Sequence, residues 1–204
     1  KSQIKKNKKH FIKGDISKKI TLDKLDRYIG KHFKKIDLLV NNVGYTKYIH
    51  PTKLNKINDN LFNKIIDINF KSHFNCTIMS LKYLKKSPKS NIINIASIAG
   101  INGKGSNVVY SASKAALINL TKSLALYLKP IRVNSISPGY IKTDFVKFPK
   151  KYYIEMIEKT PLERGGVPED ISDVVISLLS MEYVTGHNIV VDGGRILNWK
   201  NYVQ

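Results

Sequence analysis

Short apolar runs recur along the chain, and each of them gives way to polar residues and glycine. Runs of this length, rich in β-branched residues, are typical of buried strands. Ligands bind beyond the carboxyl ends of the strands in open parallel sheets, so the pattern predicts a ligand site built from these endings. The runs and the segments that follow them are 36–40 with Asn41-Asn42-Val43-Gly44, 91–96 with Ser97-Ile-Ala-Gly100, and 131–137 with Pro138-Gly139.

Between these runs the apolar residues take the three-to-four-residue spacing of amphipathic helices. Thr21 is expected to be the N-cap of a helix from Leu22 to Phe33, and Pro168 to open a helix that ends near Ser180. Strands that alternate with helices predict the α/β class, with a doubly wound parallel sheet in a single domain, 1–204. The remaining predicted elements are a broken helix over about 59–86 that contains Asn69, a helix over about 106–127, short helices within 147–159, and strands at Phe11-Ile12 and 187–191.

The composition fits one such domain, since 204 residues suffice for a substantial core. No apolar run approaches the ~20 residues of a membrane span, and the basic first residues lead into no signal-type apolar stretch. One cysteine, Cys76, excludes an intramolecular disulfide and fits a reducing compartment. We therefore expect a cytoplasmic protein without a membrane partner.

The net charge of +20 suggests nucleic acid at first, but the kinds of basic residue argue against it. Of the 35 basic residues, 31 are Lys and four are Arg, whereas Arg is the usual choice for bidentate contacts to phosphates and bases. The lysines are spread along the whole chain. We therefore expect no nucleic acid partner, keep a nucleic-acid-binding module only as a remote alternative, and expect the positive field to attract anionic cofactors and substrates.

Tyr110 and Lys114 are the candidate chemical groups, because residues four apart lie on one helix face. A free tyrosine has a pKa near ~10, too high for useful proton exchange at neutral pH. A cation held close to the phenol favours the phenolate and lowers that pKa, which would make Tyr110 a general acid/base. The alternative is a surface Tyr and Lys with this spacing by chance.

Together, the motifs resemble the short-chain dehydrogenase/reductase family, in the family's order and close to its spacing, from about Asp15 to Gly194. This resemblance implies a Rossmann-like sheet and an NAD(P)-dependent oxidoreductase that interconverts a carbonyl and a secondary alcohol, with NAD and NADP left undecided. The matching pieces are Asn41-Asn42-Val43-Gly44, Asn69, Ser97, Tyr110-x-x-x-Lys114, Pro138-Gly139 with Thr143, and Val191-Asp192-Gly193-Gly194.

The resemblance also implies a catalytic tetrad. Tyr110 would exchange the proton on the substrate oxygen, Lys114 would lower the pKa of Tyr110 and bind the nicotinamide ribose, and Ser97 would hold the substrate oxygen. Asn69, at a break in its helix, would anchor a water molecule that links Lys114 to solvent. The alternative interpretation is structural, with an Asn that ends a helix and a Ser that ends a strand.

Further residues are implied to bind the cofactor, and 144–165 is implied to form a lid over the substrate. Glycine suits such positions because the backbone must pass close to the ligand. An Asp such as Asp15 is also a common turn former. No metal site is expected, because the histidines, including His50 and His187, lack metal-ligand spacing. The implied cofactor contacts are Asp15 near the adenine, Asn41 and Gly44 along the adenosine, Tyr110 and Lys114 at the ribose, and Pro138, Gly139 and Thr143 toward the nicotinamide.

The front of the chain departs from the family pattern, because no Gly-rich turn that could hold a pyrophosphate precedes Asp15. We expect a domain that lacks its first two strands and first helix, as a fragment or a late gene start. In the family order 3-2-1-4-5-6-7, the two missing strands would lie between those near Phe11 and Leu38.

Several questions stay open. Among subfamilies the chain resembles 3-oxoacyl-acyl carrier protein reductases, tropinone-reductase-like proteins, and sugar or polyol dehydrogenases about equally. The resemblance therefore implies a small carbonyl or alcohol substrate, either free or carried on an acyl carrier protein. A catalytically silent paralogue or an inactive fragment is the main alternative. The helices near 69–86 and 111–127 carry more apolar residues than one sheet face needs, and the second has Ala116, Leu120 and Leu124 on one stripe with Leu117 beside it. Members of the resembled family pair these helices across a two-fold axis, which implies a homodimer or homotetramer.

Overall fold

The computed structural model describes residues 9–146 and 150–197. Helices and strands alternate along these ranges, as the sequence predicts. The α-helices are α1 (Lys19–His32), α2 (Asp59–Ile66), α3 (Ser72–Leu84), α4 (Ala99–Asn102), α5 (Val108–Tyr127), α6 (Lys150–Glu158) and α7 (Pro168–Ser180), and the strands are β1 (Leu38–Asn41), β2 (Asn91–Ile95), β3 (Arg132–Pro138) and β4 (Asn188–Val191). Short 3₁₀ turns cover Pro51–Lys56 and Arg195–Leu197.

The strands in the described ranges form one parallel sheet in the order β1-β2-β3-β4. All carboxyl ends therefore point to the same edge, where the register brings Asn41 beside Asn94 and Pro138 beside Val191. The predicted α/β class and parallel sheet are confirmed.

Both faces of the sheet are covered, which explains why the strands read as continuous apolar runs. On one face, α3 and α5 pack Leu84 and Leu124 against Ile92 and Val133. On the other face, α7 packs Leu178 against Ile93, Ile95 and Ile136. Neighbouring residues of β2 thus point to opposite layers, as the two-residue period of a strand requires.

Two predictions at the front of the chain are wrong. Phe11-Ile12 is not a strand in the structure, and Phe11 is 90% exposed, because no described strand lies where it could pair with this segment. Thr21 is not an N-cap: α1 begins earlier, at Lys19, after a turn in which the Asp15 carboxylate accepts a hydrogen bond from the Ser17 N–H. The chain therefore enters α1 through a turn held by the Asp15 carboxylate, and the Thr21 hydroxyl does not cap the helix.

The broken helix predicted over 59–86 is confirmed. Between α2 and α3 the chain takes one wider π-helical turn, Asp67–Lys71, with Asn69 in its middle. The helix opened by Pro168 ends at Ser180 as predicted. Part of the segment predicted to form short helices, 147–149, lies outside the described residues, and the rest contains α6.

The apolar stripe on α5 does not face outward as the assembly prediction requires. Leu117 and Leu124 are buried within this one chain, and Leu120 packs against the same core. Exposed apolar side chains lie on α3, the other helix of the assembly prediction, where Phe74 and Ile78 are four residues apart. Within the described ranges, no helix is long and apolar enough to cross a membrane.

Candidate active site

Ser97 lies two residues beyond β2, at the predicted ligand edge of the sheet. Its hydroxyl accepts a hydrogen bond from the Ala99 N–H at the start of α4. Gly100 then lets α4 rest directly on the catalytic helix, because a Cβ at this position would lie 2.6 Å from the Lys114 carbonyl carbon. The glycine that follows the strand is therefore a packing requirement of the site.

Tyr110 stands in the first turn of α5, and Asn107 caps that turn by accepting a hydrogen bond from the Tyr110 N–H at 2.8 Å. The tyrosine is 9% exposed. Burial raises the pKa of Tyr110, and a hydrogen bond with the Ser97 side chain opposes this increase. The two hydroxyls predicted to act on one substrate oxygen are thus neighbours, and the phenol keeps its proton at neutral pH.

Lys114 lies one turn further along α5 and is only 3% exposed. Its ammonium donates to the Ile95 carbonyl oxygen, 2.7 Å away, and lies 5.9 Å from the centre of the Tyr110 ring. Burial lowers the pKa of Lys114 to about 8, so the side chain is still mostly charged at pH 7. The expected lowering of the Tyr110 pKa is wrong for this structure, because the loss of hydration around the phenolate is the larger effect.

Asn69 projects from the π-helical turn and is fully buried. Its Oδ1 accepts from the Tyr45 N–H, and its Nδ2 donates to the Tyr45 carbonyl and to the Ser113 hydroxyl. Both amide hydrogens are therefore used, while Oδ1 keeps one lone pair for another donor. The water-anchoring role predicted for Asn69 stays a prediction, and it would have to use that lone pair.

The loop after β1 is fastened at every second residue. The Asn41 side chain turns inward and donates to Thr77 and Asn94, so the cofactor side of Asn41 is its backbone. The Val43 carbonyl accepts a hydrogen bond from His73, and Tyr45 is held by Asn69. Sequence reasoning did not single out His73, although its position four residues after Asn69 was a usable signal.

Gly44 and Thr143 both lie close to Phe145, which sequence reasoning also missed. A Cβ on Gly44 would lie 3.3 Å from the Phe145 ring, and Thr143 accepts a hydrogen bond from the Phe145 N–H at 3.4 Å. The Phe145 and Tyr110 ring centres are 6.3 Å apart. Phe145 therefore spans the gap between the loop after β1 and the catalytic helix.

Pro138 and Gly139 end β3 beside the end of β4. The Gly139 N–H donates to the Val191 carbonyl, and a Cβ on Gly139 would lie 2.7 Å from the Asp192 Cβ. Asp15 stands apart from this group. Hydrogen bonds from the Ser17 side chain and backbone lower the pKa of the Asp15 carboxyl, so it acts here as the turn former that was its alternative role.

The segment predicted to be a lid contains α6, which packs on the same side of the site. The Tyr152 ring lies 5.4 Å from that of Tyr48, and the Tyr153 ring lies 5.6 Å from that of Tyr140. The Tyr153 hydroxyl donates to the Val146 carbonyl. The described part of 144–165 is therefore held by aromatic contacts, and its role as a lid stays a prediction.

The residues present fit the nicotinamide end of a dinucleotide. An ammonium has three donors, and the Ile95 carbonyl takes one of those of Lys114, which leaves N–H groups for a ribose diol next to the Tyr110 hydroxyl. Across the described ranges, no group of three or more His, Cys, Asp or Glu side chains could hold a metal ion.

Comparison with known proteins agrees with this geometry. A family model described as Enoyl-(Acyl carrier protein) reductase matches residues 1–195. The 3-oxoacyl-[acyl-carrier-protein] reductase FabG of Thermotoga maritima is 37% identical over 170 residues, which are 81% of this chain and 68% of that protein. The chain therefore belongs to the short-chain dehydrogenase/reductase family of NAD(P)-dependent oxidoreductases.

Solved structures give the same result. A short-chain dehydrogenase/reductase of the glucose/ribitol dehydrogenase type from Brucella melitensis superposes with a TM-score of 0.80 at 31% identity and covers 90% of this chain and 74% of its own. A 4-hydroxyisoleucine dehydrogenase in complex with NADH and succinate superposes with a TM-score of 0.80 at 30% identity. The match covers 91% of this chain and 79% of the dehydrogenase chain. The predicted family, enzyme class and cofactor class are confirmed.

Proposed function

We propose that this protein reduces a carbonyl group to a secondary alcohol with NADH or NADPH, and that Asn69, Ser97, Tyr110 and Lys114 form its catalytic tetrad. One observation carries the proposal: the neighbouring hydroxyls of Ser97 and Tyr110 lie beside the buried ammonium of Lys114, at the carboxyl edge of a parallel sheet. Two neighbouring hydroxyls, both able to donate a hydrogen bond, suit a carbonyl oxygen better than a carbon–carbon double bond.

In the reductive direction Tyr110 would act as the proton donor, and because burial raises its pKa the phenol holds that proton at neutral pH. The bound cofactor would supply the hydride that goes to the carbonyl carbon. Tyr110 would give its proton to the oxygen, while Ser97 holds that oxygen. The charge on Lys114 would stabilise the phenolate that remains until it is protonated again.

An acyl chain on an acyl carrier protein is the first proposed substrate. The relatives named 3-oxoacyl-[acyl-carrier-protein] reductase support it, and the net charge of +20 suits an acidic carrier. A sugar or polyol is the second candidate, supported by the structural likeness to a glucose/ribitol dehydrogenase. A silent paralogue is less well supported, because all four tetrad residues are present and three of them are deeply buried at one edge.

The test is a reduction assay on the purified intact protein with both NADH and NADPH. We expect turnover with a 3-oxoacyl thioester on a carrier protein and none in the Tyr110→Phe variant. Oxidation of a sugar or polyol without any reduction of the thioester would favour the dehydrogenase alternative. Cofactor binding without turnover of either substrate class would favour the silent paralogue.

The domain organisation and cellular location are proposals as well. β1 is an outer strand of the described sheet, and Val40 on it is 39% exposed. We propose that two further strands and a helix with a Gly-rich turn cover this edge in the intact cytoplasmic protein, and that 144–165 closes over the substrate. The 204-residue chain alone should then be poorly soluble and bind NADH and NADPH weakly. Micromolar cofactor binding by a soluble 204-residue chain would contradict the first proposal.

We also propose a homodimer or homotetramer, formed through the first of the two helices expected to pair, α3. Phe74 and Ile78 give α3 an exposed apolar face that a second copy could cover across a two-fold axis. Light scattering at micromolar concentration should show the oligomer, and Phe74→Ser should weaken it more than a change at the exposed Lys122. A monomeric parent protein would contradict this assignment.

A further inference from the structure

His73 is a buried titratable side chain that the proposed reaction does not use. It is 3% exposed and lies one helical turn after Asn69, on the side of α3 that faces the loop after β1. Its Nε2 lies 2.7 Å from the Val43 carbonyl oxygen. A carbonyl oxygen can only accept, so Nε2 carries the hydrogen and Nδ1 of the neutral ring is an acceptor.

The second ring nitrogen, Nδ1, makes no hydrogen bond within the part of the chain that the structure describes. Nδ1 is buried and has no hydrogen-bond partner there. A buried acceptor without a partner costs free energy, whereas a phenylalanine would fill a similar volume without that cost. A histidine at this position is therefore less favourable than an apolar side chain if packing is its only role. We take its hydrogen bond to Val43 as the reason that a histidine is present.

The charge state of His73 allows its Nε2–H to donate a hydrogen bond to the Val43 carbonyl at all physiological pH values. Burial, and then the charge of Lys114, lower the pKa of His73 to about 4, although the hydrogen bond to Val43 opposes them. An imidazolium at this position would place a second cation close to the ammonium on which the proposed tetrad depends. The ring therefore stays neutral at physiological pH, with its single hydrogen on Nε2.

The Val43 carbonyl belongs to the segment Asn42-Val43-Gly44, which links the two other fastened residues, Asn41 and Tyr45. We propose that His73 is a positioning residue of the dinucleotide site: its Nε2–H holds the Val43 carbonyl and so sets how closely the backbone of 42–44 approaches the bound cofactor. This inference depends on the proposed function, because it assumes that a dinucleotide binds at this edge.

Four proteins test the proposal by titration with NADH and NADPH: the intact parent and its His73→Phe, His73→Gln and His73→Asn variants. Gln can place an N–H close to the position of Nε2, whereas Asn is too short and Phe has no donor. We expect the cofactor Kd to rise about tenfold in the Phe and Asn variants and to stay within about threefold of the parent in the Gln variant, because one hydrogen bond is lost or kept. His187→Phe, at an exposed histidine, is the matched control and should change nothing.

The remaining outcomes separate this inference from the proposed function. Equal Kd values in all His73 variants, with a parent that binds, would overturn the positioning role and leave the proposed function intact. A parent that binds neither cofactor would overturn both. If the Phe variant does not fold, the comparison of Gln with Asn decides, since both are polar. Nitrogen-15 NMR of the parent adds a direct check: a proton on Nδ1 of His73 at pH 7 would contradict the assignment.

Discussion

The two sides of the ligand edge differ in how firmly the protein holds them. On the catalytic side, Ser97 follows β2, a strand paired on both edges, and Tyr110 and Lys114 are buried against it. On the cofactor side, the loop that carries Val43 follows β1, which is paired only with β2 among the described strands, and Val43 is 51% exposed. The residues proposed for catalysis thus lie beside a strand paired on both edges, and the loop proposed to bind the cofactor follows an outer strand of the described sheet.

This difference suggests that the two sides respond differently to mutation. Changes at the catalytic side remove groups whose positions are fixed by several contacts, so loss of function should be large and specific. Changes in the loop after β1 meet a backbone held by a few hydrogen bonds, one at Val43 and two at Tyr45, so the effects should be smaller and fall on cofactor affinity. The following experiments test this contrast, beginning with the largest effect.

The removal of the Tyr110 hydroxyl should have the largest effect. Tyr110→Phe removes the transferable proton and keeps the ring, so kcat should fall by about 10³-fold or more while the cofactor Kd changes little. Steady-state kinetics and a fluorescence titration of the cofactor measure the two quantities. Near-normal turnover would exclude Tyr110 as the proton donor.

A change at Lys114 should affect both sides of the site together. Lys114→Ala removes the buried ammonium beside the phenol and the donors proposed for the ribose, so kcat should fall by about 10²-fold and the cofactor Kd should rise. Lys122→Ala, on an exposed part of the same helix, is the control and should match the parent. An effect confined to kcat would show that Lys114 does not contact the cofactor.

Acid should destabilise the protein through His73. The pKa of this buried side chain, about 4, lies below its value in the unfolded chain, so below pH ~6.5 the unfolded state binds the extra proton first. Stability is therefore present above pH ~6.5 and is lost as the pH falls toward 4, by about 2 kcal/mol between pH 7.5 and pH 5. Urea unfolding of the parent and of His73→Gln at both pH values isolates this contribution. Equal pH dependence of the two proteins would show that His73 does not titrate in this range.

Alanine substitutions at two glycines, one on each side of the site, should have the smallest effects and compare the two sides directly. Gly100→Ala would force a Cβ to within 2.6 Å of backbone in α5, and backbone cannot move aside, so a loss of about 1–3 kcal/mol in stability is expected. Gly44→Ala would place a Cβ 3.3 Å from the Phe145 ring, which can shift, and 3.6 Å from Asn69 Oδ1, which is ordinary contact, so a loss of less than about 1 kcal/mol is expected. Thermal unfolding of both variants tests this order, and a larger loss at Gly44 would reverse it.

The sequence predicted the parallel sheet and the broken helix because both depend on local pattern: apolar runs that end in glycine, and a polar Asn inside an apolar helix. The tetrad came from the family resemblance, and its catalytic role stays a prediction. The sequence wrongly predicted a strand at Phe11, because a strand needs a neighbouring strand to pair with and no local pattern supplies one. The sequence also misjudged Leu124 of the α5 stripe, since this residue packs against Ile92 and Val133 on two strands that are distant in sequence. The pKa of Tyr110 and the contacts of His73 and Phe145 were out of reach for the same reason, because burial is a property of the assembled fold.

The π-helical turn at 67–71 places a constraint on the length of the chain as well as on its side chains. It takes one more residue per turn than the α-helix on either side, and each residue turns a helix by about 100°. The loss of any one residue from this turn would let α2 and α3 merge into a regular helix. Asn69 or His73 would then swing away from the loop that each of them fastens. Insertions and deletions are therefore less tolerable here than most substitutions, although the turn lies far in sequence from Ser97, Tyr110 and Lys114.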